Sequence, residues 1–239
     1  MKNKDISTKI EILLIPVLII AILCSSHALQ GCDSNEHEVK AEPIYGNLLD
    51  VKTNPNLQSE FIQYTGMDVS FNSDTHIPNW VAWELTNEEA SASGGREDNF
   101  RPDPYVRGCA QLSDYKGSGY DRGHMAPAGD FKWSAQAQDD TFFLTNICPQ
   151  AHALNGGAWL KLEEKCRIWA KVDEKIYIVC GPIIDETPKE YIGDNKVWVP
   201  KRFFKVILAP YSNPPRGIGF IMPNSYVEGG MQPCAVSID

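Results

Sequence analysis

The chain has 239 residues, a mass of 26.7 kDa and a composition typical of a globular protein. Hydrophobic residues make up 43% of it, charged residues 22% and aromatic residues 10%, which excludes a disordered or collagen-like chain. The formal net charge is −9, from 22 basic and 31 acidic residues, and this balance disfavours a protein that coats nucleic acid through a basic surface. It does not disfavour an enzyme with a local cluster of arginines.

The N-terminus has the pattern of an export signal. Lys2, Lys4 and Lys9 precede an apolar run over residues 12–23, which is interrupted by Pro16. This run is shorter than a membrane-spanning helix and is typical of the apolar region of a signal peptide. The sequence therefore predicts export, with an uncleaved membrane anchor as the least favoured alternative.

Two cleavage sites follow the apolar run. Residues 29–32, Leu-Gln-Gly-Cys, resemble a bacterial lipobox, in which Cys32 becomes the lipidated first residue of a periplasmic or outer-membrane lipoprotein. Cleavage at Ala28 would instead release a secreted protein. We expect residues 1–31 to be a signal peptide of the lipoprotein type, residues 32–55 to be a polar tether and residues 56–239 to be one domain.

Five cysteines lie beyond the leader, and none of them forms a C-x-x-C pair, so a zinc ribbon is disfavoured. They are Cys109, Cys148, Cys166, Cys180 and Cys234. An exported protein can form disulfides, but an odd number leaves at least one thiol unpaired unless it bonds elsewhere. Cys180 lies in an apolar run, where a small buried side chain is the simpler interpretation. The pairing of the cysteines stays open.

From residue 61 onward, β-branched and aromatic residues form short runs of strand length. We predict strands at Tyr64–Phe71, Trp80–Leu85, Phe142–Leu144, Ile176–Cys180, Phe203–Leu208 and Ile218–Met222. One helix is predicted over Asn155–Val172, because apolar residues recur there at steps of three or four. Many strands with one strong helix indicate an α+β domain with a mostly antiparallel sheet.

Residues that carry chemistry concentrate in three segments. The first is residues 117–127, in which glycines and Asp121 precede His124, a side chain that can accept a proton near neutral pH. In the same segment, Arg122 offers a planar guanidinium suited to phosphate. The second segment is residues 145–150, Thr-Asn-Ile-Cys-Pro-Gln, in which polar residues follow an apolar run.

The third segment is the predicted helix. Asn155, Glu163 and Arg167 are eight and four residues apart, so at 100° per residue they span roughly 120° of one helix face. This face adjoins the apolar side of the helix. We therefore expect these three side chains to line a cleft at the edge of the core.

Together the three segments resemble the DNA/RNA non-specific endonuclease family, the ββα-metal nucleases related to Serratia nuclease and mitochondrial endonuclease G. The resemblance rests on Asp-Arg-Gly-His at 121–124, on Asn-Ile-Cys-Pro-Gln at 146–150 and on the helix segment at 154–163, and it extends over residues 61–239. Two further similar segments are residues 78–83 and 96–103. The resemblance implies a ββα-metal nuclease fold with a mostly antiparallel central sheet and a long helix at the metal site.

The resemblance also implies a role for each site residue. His124 is expected to be the general base that activates water, Asn155 the direct protein ligand of magnesium, and Glu163 the residue that holds metal-bound water. Manganese is the alternative metal. Asn146 is implied to shape the site around His124, and the arginines implied to contact phosphate are Arg96, Arg122 and Arg167. Magnesium prefers oxygen ligands and keeps several waters, which agrees with one amide oxygen and a carboxylate behind water.

Simpler structural roles stay open for several of these residues. Asn155 suits a helix N-cap, and Glu163 suits an ion pair with Arg167 one helical turn away. Arg101 is a rival to Arg96 as the phosphate contact, because both lie in the same predicted loop. The residues expected to be purely structural are His76, His152, Trp159 and Trp169.

Two functions remain in view. The leading one is a magnesium-dependent, sugar-non-specific endonuclease that hydrolyses phosphodiester bonds of DNA and RNA. The alternative is a catalytically inactive, exported protein with the nuclease fold that binds nucleic acid or a protein partner. The presence of His124, Asn155 and Glu163 together favours the enzyme, because a binding protein gains nothing from a general base.

Overall fold

The computed structural model of the protein describes residues 49–184 and 190–238. The predicted signal peptide, Cys32 and most of the predicted tether lie outside the described residues, so export and lipidation stay predictions. Thr53, near the end of the predicted tether, accepts a hydrogen bond from the indole of Trp80 (2.8 Å) and shares one with the hydroxyl of Ser70 (2.7 Å). Within residues 49–184 and 190–238, no helix is long and apolar enough to cross a membrane.

Strands make up most of the regular structure. They are β1 (Glu60–Gln63), β2 (Asp68–Asn72), β3 (Ile77–Thr86), β4 (Asp121–His124), β5 (Ile147–Gln150), β6 (Lys175–Pro182), β7 (Tyr191–Ile192), β8 (Val197–Trp198), β9 (Arg202–Ala209), β10 (Arg216–Pro223) and β11 (Ala235–Val236). The helices are α1 (Asn87–Ser91), α2 (Leu112–Tyr115), α3 (Ala135–Asp140) and α4 (Leu160–Asp173).

Seven strands form the central sheet, in the order β1-β2-β3-β6-β9-β10-β11, and each neighbouring pair is antiparallel. The pairs β4-β5 and β7-β8 form two small sheets of their own, also antiparallel. The predicted α+β class with a mostly antiparallel central sheet is confirmed. Four predicted strands are confirmed as parts of β3, β6, β9 and β10.

Two predicted strands are wrong. The run Tyr64–Phe71 is not one strand but the turn and second strand of a hairpin, in which the amide of Tyr64 donates to the carbonyl of Met67 (2.9 Å) between β1 and β2. Phe142–Leu144 lies in a turn, and its β-type pairing is limited to one isolated parallel bridge between Phe143 and Arg101. Residues 68–71 of the first segment do pair, as part of β2, whereas the apolar side chains of Phe142 and Leu144 are buried without belonging to a strand ladder. Composition alone does not distinguish these cases.

The predicted helix is confirmed over most of its length, but it does not begin as a regular α-helix. Residues 154–159 form a wide turn with π-type hydrogen bonding, and Gly157 inside it leaves helical geometry (φ −110°, ψ −115°). The regular helix α4 begins at Leu160. Because the wide turn changes the angle per residue, the 100° rule does not relate Asn155 to the later residues of the helix.

The central sheet is covered on both faces at β3, whose residues are nearly all buried. On one face the indole of Trp80 donates a hydrogen bond to Thr53 of the segment that precedes β1 (2.8 Å). On the other face Trp83 contacts Phe131, with ring centres 6.3 Å apart. Alternate residues of a strand point to opposite faces, so the nearly continuous burial along β3 indicates that both of its faces are covered.

The two tryptophans of the helix segment pack against the sheet, as predicted for core residues. Trp159 is fully buried and contacts Phe203, with ring centres 5.7 Å apart, and Trp169 stacks on Phe220 at 6.5 Å. The five cysteines beyond the leader are unpaired within the described chain, and four of them are buried. Cys180 is one of the four, as its apolar surroundings predicted.

Candidate active site

The candidate site is built where β4 and β5 meet the start of α4. In the β4-β5 pair, His124 lies opposite Ile147. Glycine is required at position 123, because a side chain there would collide with the buried side chain of Gln150. The indole of Trp159, just before α4, donates a hydrogen bond to the backbone carbonyl of His124 (3.2 Å). The two strands and the helix are therefore joined at the histidine.

The imidazole of His124 lies between two phenylalanine rings. The ring centres of Phe100 and Phe142 are each 5.1 Å from its own. Its Nε2 atom is buried and has no hydrogen-bond partner among the described residues. Burial lowers the pKa of His124 to about 3, and the positive charge of Arg96 acts in the same direction. The ring is therefore neutral near pH 7 and has one unengaged nitrogen.

Asn146 holds the backbone that follows the histidine. Its amide nitrogen donates to the carbonyls of Ala126 and Thr141, and its amide oxygen accepts from the amide of Ala126, each at 2.9 Å. Its own carbonyl accepts from the amide of Met125 (2.9 Å). Asn146 is fully buried and all its polar atoms are engaged with backbone, so it fixes the position of the backbone that follows His124.

Asn155 is held by an acidic residue of the same motif as the histidine. Its amide nitrogen donates to Oδ2 of Asp121 (2.9 Å), and its amide oxygen has no hydrogen-bond partner in the described chain. The same carboxylate oxygen contacts Nδ1 of the exposed His152 (2.9 Å). Asn155 makes no helix-capping hydrogen bond, so nothing supports the N-cap interpretation. Its orientation leaves Oδ1 available to a ligand.

Glu163 lies in the first turn of α4 and is buried, with a fractional exposure of 9%. No hydrogen bond or ion pair joins its carboxylate to another described residue, so the alternative of a surface pair with Arg167 is wrong. Burial raises the pKa of Glu163 to about 7, and Lys205 is the strongest of the nearby charges that oppose this rise. The carboxylate is thus a buried acceptor that the chain itself does not satisfy.

Arg167 pairs instead with Asp130. Its Nη1 lies 2.8 Å from Oδ1 of Asp130, and the indole of Trp83 donates to the other oxygen (3.1 Å). Asp130 is almost completely buried, whereas 22% of the Arg167 side chain is exposed. Burial raises the pKa of Asp130 and the charge of Arg167 opposes this rise. The exposed edge of the guanidinium is the part that remains for a phosphate.

Arg96 and Arg122 cover the two walls of the histidine pocket. The guanidinium carbon of Arg96 lies 5.6 Å from the ring centre of Phe142, and that of Arg122 lies 4.2 Å from the ring centre of Phe100. Both side chains are exposed, and Arg96 contacts only the exposed Asp98 among charged residues of the described chain (2.7 Å). They are therefore free to meet an anionic ligand above His124.

Arg101, the rival to Arg96, has a structural role. Its guanidinium pairs with the carboxylate of Asp139 (2.5 Å) and also donates to that residue's carbonyl (3.2 Å). The same group lies 3.9 Å from the ring centre of Phe143. These contacts fix the loop that carries both arginines, and Arg96 is the one left exposed to solvent.

Sequence reasoning missed three residues of this region. Asp121 belongs to the Asp-Arg-Gly-His motif, so its position beside the histidine was the available signal. Lys205 falls between Phe203 and Ile207 on the buried side of β9, and this alternation was also a signal. Nothing local to Asp130 marks it as the buried partner of Arg167, because the pair joins residues 37 positions apart.

The oxygen atoms available here fit a magnesium-type ion. In the described chain no group of three or more His, Cys, Asp or Glu side chains is arranged to hold a metal. The unengaged oxygens of Asn155 and Glu163 are instead an amide and a carboxylate. Magnesium is bound by few protein oxygens and keeps several waters, so this sparse donor set suits it better than an ion that requires a full protein cage.

Comparison with known proteins gives consistent matches. A model of the DNA/RNA non-specific endonuclease family matches residues 44–239. The nuclease EXOG of Xenopus laevis, named as mitochondrial, is 36% identical over 214 residues, which are 83% of this chain and 60% of that protein. The mitochondrial nuclease of Saccharomyces cerevisiae is 39% identical over 182 residues, 66% of this chain and 55% of that protein. The chain thus spans little more than half the length of these relatives.

A solved structure is also similar. The complex titled as EndoG with EndoGI contains a chain that superposes with a TM-score of 0.69 at 28% identity, covering 74% of this chain and 80% of that one. The predicted ββα-metal nuclease fold is confirmed by this similarity, with β4, β5 and α4 as its strands and helix.

Proposed function

Because the chain belongs to the DNA/RNA non-specific endonuclease family, we propose that it is a divalent-metal-dependent nuclease that hydrolyses phosphodiester bonds of DNA and RNA. The observation that carries the proposal is His124, a neutral, half-buried imidazole set between two aromatic walls that exposed arginines cover. A protein that only binds nucleic acid has no use for such a base.

His124 acts as the general base. Because Nε2 is buried from solvent, it is Nδ1 that accepts a proton from the water that attacks phosphorus, and the phenylalanine rings hold the imidazole in one orientation. Because its pKa is low, the ring is unprotonated and ready at any pH near neutrality. Asn146 keeps the backbone after His124 in place through its three hydrogen bonds, so its contribution is to positioning.

The arginines bind the substrate. Arg122 and Arg96 contact phosphate oxygens from the two walls of the pocket, and the exposed edge of Arg167 approaches from α4. Guanidinium groups stabilise the extra negative charge that develops on the phosphate as water adds. None of these contacts reads a base, which is consistent with action on both DNA and RNA.

Asn155 and Glu163 would hold the cation. Asn155 offers Oδ1 directly, and Asp121 keeps the amide turned so that this oxygen faces outward. Glu163 would accept hydrogen bonds from water around the ion. Magnesium, or manganese as the alternative, would supply charge neutralisation at the phosphate and the leaving oxygen.

The test is cleavage of plasmid DNA and of RNA by the purified protein over a range of magnesium concentrations. We expect no cleavage without divalent metal. His124→Ala should lose about 10²–10⁴-fold in rate at every magnesium concentration, because its defect follows binding. Asn155→Ala should recover part of its rate in excess magnesium, because its defect is in ion binding.

His76→Asn is the matched control. His76 has a positive φ of 61°, which asparagine tolerates, and its ring contacts the carbonyl of Gly108 (2.7 Å) away from the pocket. It should cleave as the wild type does. A wild type that binds nucleic acid without cleaving it at any metal concentration would support the inactive binding protein instead.

We also propose that the mature protein is exported and carries a lipid on Cys32, on the strength of the leader and the lipobox-like residues 29–32. The wild type should incorporate a labelled fatty acid in its bacterial host and Cys32→Ser should not. Equal labelling of both proteins would exclude attachment through Cys32, and release of unlabelled wild type into the medium would favour plain secretion.

A further inference from the structure

One tryptophan differs from the other five in its exposure. All six tryptophans lie in the described part of the chain, and five of them are buried or half-buried. Trp133, just before α3, is the exception, with a fractional exposure of 40%. No hydrogen bond and no contact with another aromatic ring joins its indole to any other described residue. An exposed indole without such partners offers ring surface on which a flat ligand can stack.

The indole of Trp133 is held in place by a glycine turn. Gly66 lies in the turn between β1 and β2, and a side-chain carbon built on it would come within 3.0 Å of Cζ2 of Trp133 and 2.9 Å of the ring of Phe131. Phe131 in turn packs on Trp83, with ring centres 6.3 Å apart. One edge of the Trp133 ring therefore packs against the turn. A ring that is already ordered loses little conformational entropy when a ligand binds to it.

The segment that carries Trp133 touches the loop of Arg96. A side-chain carbon built on Gly94 would lie 2.8 Å from the carbonyl oxygen of Lys132, the residue before Trp133, and Gly94 is two residues before Arg96. Lys132 is itself exposed, and its ammonium group has no ion pair with a described residue. Proteins that bind single strands combine positive charge along the backbone with aromatic rings on which bases stack. Both elements are present beside Arg96.

The same segment reaches the buried part of the site at its other end. Asp130, three residues before Trp133, is paired with Arg167 (2.8 Å), and a side-chain carbon built on Gly129 would lie 3.0 Å from Nη1 of Arg167. Consecutive Cα atoms are about 3.8 Å apart, so Trp133 and Asp130 are separated by at most about 11 Å. A nucleotide advances one strand of B-DNA by about 3.4 Å. Trp133 therefore lies on the order of three nucleotides from a phosphate that Arg167 contacts.

We propose that Trp133 is a base-stacking subsite of the candidate nuclease, on which an unpaired nucleobase about three nucleotides from the cleaved phosphate stacks, with Lys132 beside it for the backbone. The inference rests on the proposed function and adds a substrate preference that the phosphate contacts do not supply. Every base has a flat aromatic face, so a stacking subsite accepts DNA and RNA without reading sequence. In a duplex those faces are covered by neighbouring base pairs, so the subsite favours single strands.

The test measures the affinity for a short single strand and for a duplex of the same sequence, in a His124→Ala background with magnesium at fixed salt. Fluorescence anisotropy provides the measurement. Trp133→Ala should weaken binding of the single strand by about 5–100-fold, the range typical of a lost base–aromatic stack. It should leave the affinity for the duplex unchanged. Unchanged affinity for the single strand in folded Trp133→Ala would overturn the inference.

Removal of the bases separates stacking from a structural role of the tryptophan. A strand of the same length built from abasic nucleotides keeps the phosphates and loses the stacking partners. It should bind the background protein more weakly than the normal strand does, and Trp133→Ala should bind it as well as the background does. If Trp133→Ala weakens binding of both strands equally, the tryptophan acts through the structure of the loop and the subsite does not exist.

Phe61→Ala is the comparison variant. Phe61 is also an exposed aromatic residue, with a fractional exposure of 61%. Its ring centre lies 6.4 Å from that of Trp80, on the face of the central sheet opposite to Trp83 and Phe131. Loss of this ring should leave the affinity for both strands unchanged. An equal loss of affinity in Phe61→Ala and Trp133→Ala would mean that any exposed aromatic residue has this effect, which would contradict a defined subsite.

Trp133→Phe covers the case in which Trp133→Ala does not fold, because phenylalanine keeps an aromatic ring at the turn. Binding of the single strand should quench the indole emission of the background protein. Most of this quenching should be lost in Trp133→Phe, since the other five tryptophans are buried or half-buried. Quenching that persists would place the stacked base elsewhere and overturn the inference. If the wild type cleaves nothing at any metal concentration, the proposed function fails, while the binding measurements still decide the role of Trp133.

Discussion

The floor and the rim of the candidate site are built differently. The floor consists of Asn146, Asp130, Arg167 and Glu163, which are buried or half-buried, and Asn146, Asp130 and Arg167 have partners within the chain. The rim consists of Arg96, Arg122, Asp121, His152 and Asn155, which are exposed or half-buried. His124 lies between the two regions.

The two groups should therefore affect different properties of the protein, stability for the floor and substrate binding for the rim. Asn146, Asp130 and Arg167 are engaged with other parts of the chain, so replacing them should first reduce stability and displace the histidine. Rim arginines lack buried partners, so their removal should be felt in substrate binding, with the fold unchanged. Four measurements test this division.

The largest difference is expected between two arginines. Arg167→Met leaves the buried carboxylate of Asp130 without its cation, and removing one partner of a buried pair typically costs about 3–5 kcal/mol. Arg122→Met should change stability by less than about 0.5 kcal/mol, as expected for an exposed side chain. Urea unfolding of both variants measures this, and equal losses would abolish the distinction between floor and rim.

Asn146→Ala should be next in size. It leaves backbone groups of Ala126 and Thr141 unsatisfied, at a cost of about 1–3 kcal/mol, and it should also reduce activity because the backbone after His124 loses its anchor. Asn79→Ala is the matched control. Asn79 is likewise buried and donates to Ser70 (3.0 Å), but it lies in β3, so its loss should reduce stability and spare activity. Activity lost equally in both folded variants would contradict the positioning role.

The pH dependence of stability should have opposite signs for His124 and Glu163. The pKa of His124 is about 3 in the folded protein, below its ordinary value of 6.5, so its contribution to stability is lost as pH falls through that interval. The pKa of Glu163 is raised from 4.5 to about 7, so its contribution is lost as pH rises through that interval. Each slope can reach about 1.4 kcal/mol per pH unit.

Substitutions separate the two slopes. Between pH 6.5 and 4.5, His124→Asn should lose less stability than wild type on acidification, and Glu163→Gln should lose more. Urea midpoints at intervals across this range provide the measurement. Parallel curves for all three proteins would mean that neither side chain is perturbed by its surroundings as described.

The smallest effect is expected for a single rim contact. In a His124→Ala background, Arg122→Ala should weaken binding to duplex DNA by about tenfold, because one exposed charge-assisted contact is lost and salt screens it. Arg101→Ala should leave the affinity unchanged, since its guanidinium is engaged with Asp139. Fluorescence anisotropy at fixed salt tests both, and a larger loss for Arg101 would reverse the assignment of the two loop arginines.

Much of the fold could be predicted from local patterns. β9 alternates buried and partly exposed residues along Arg202–Ala209, and α4 carries apolar residues at helical spacing. A short stretch of sequence is therefore enough to predict each of these elements. The prediction for Tyr64–Phe71 placed the start of the strand too early, because the turn between β1 and β2 carries residues of strand-like composition. The prediction for Phe142–Leu144 was wrong because its apolar side chains are buried without strand pairing, which composition does not reveal.

The sequence by itself determined the family, the antiparallel α+β class and the expected roles of His124, Asn155 and Glu163, because these depend on residue types at short spacings. The tertiary structure was needed to show that Arg101 is engaged while Arg96 is exposed, and that Arg167 pairs with Asp130. Those outcomes depend on partners that lie far apart along the chain, and electrostatic matching of buried groups exists only once folding brings them together.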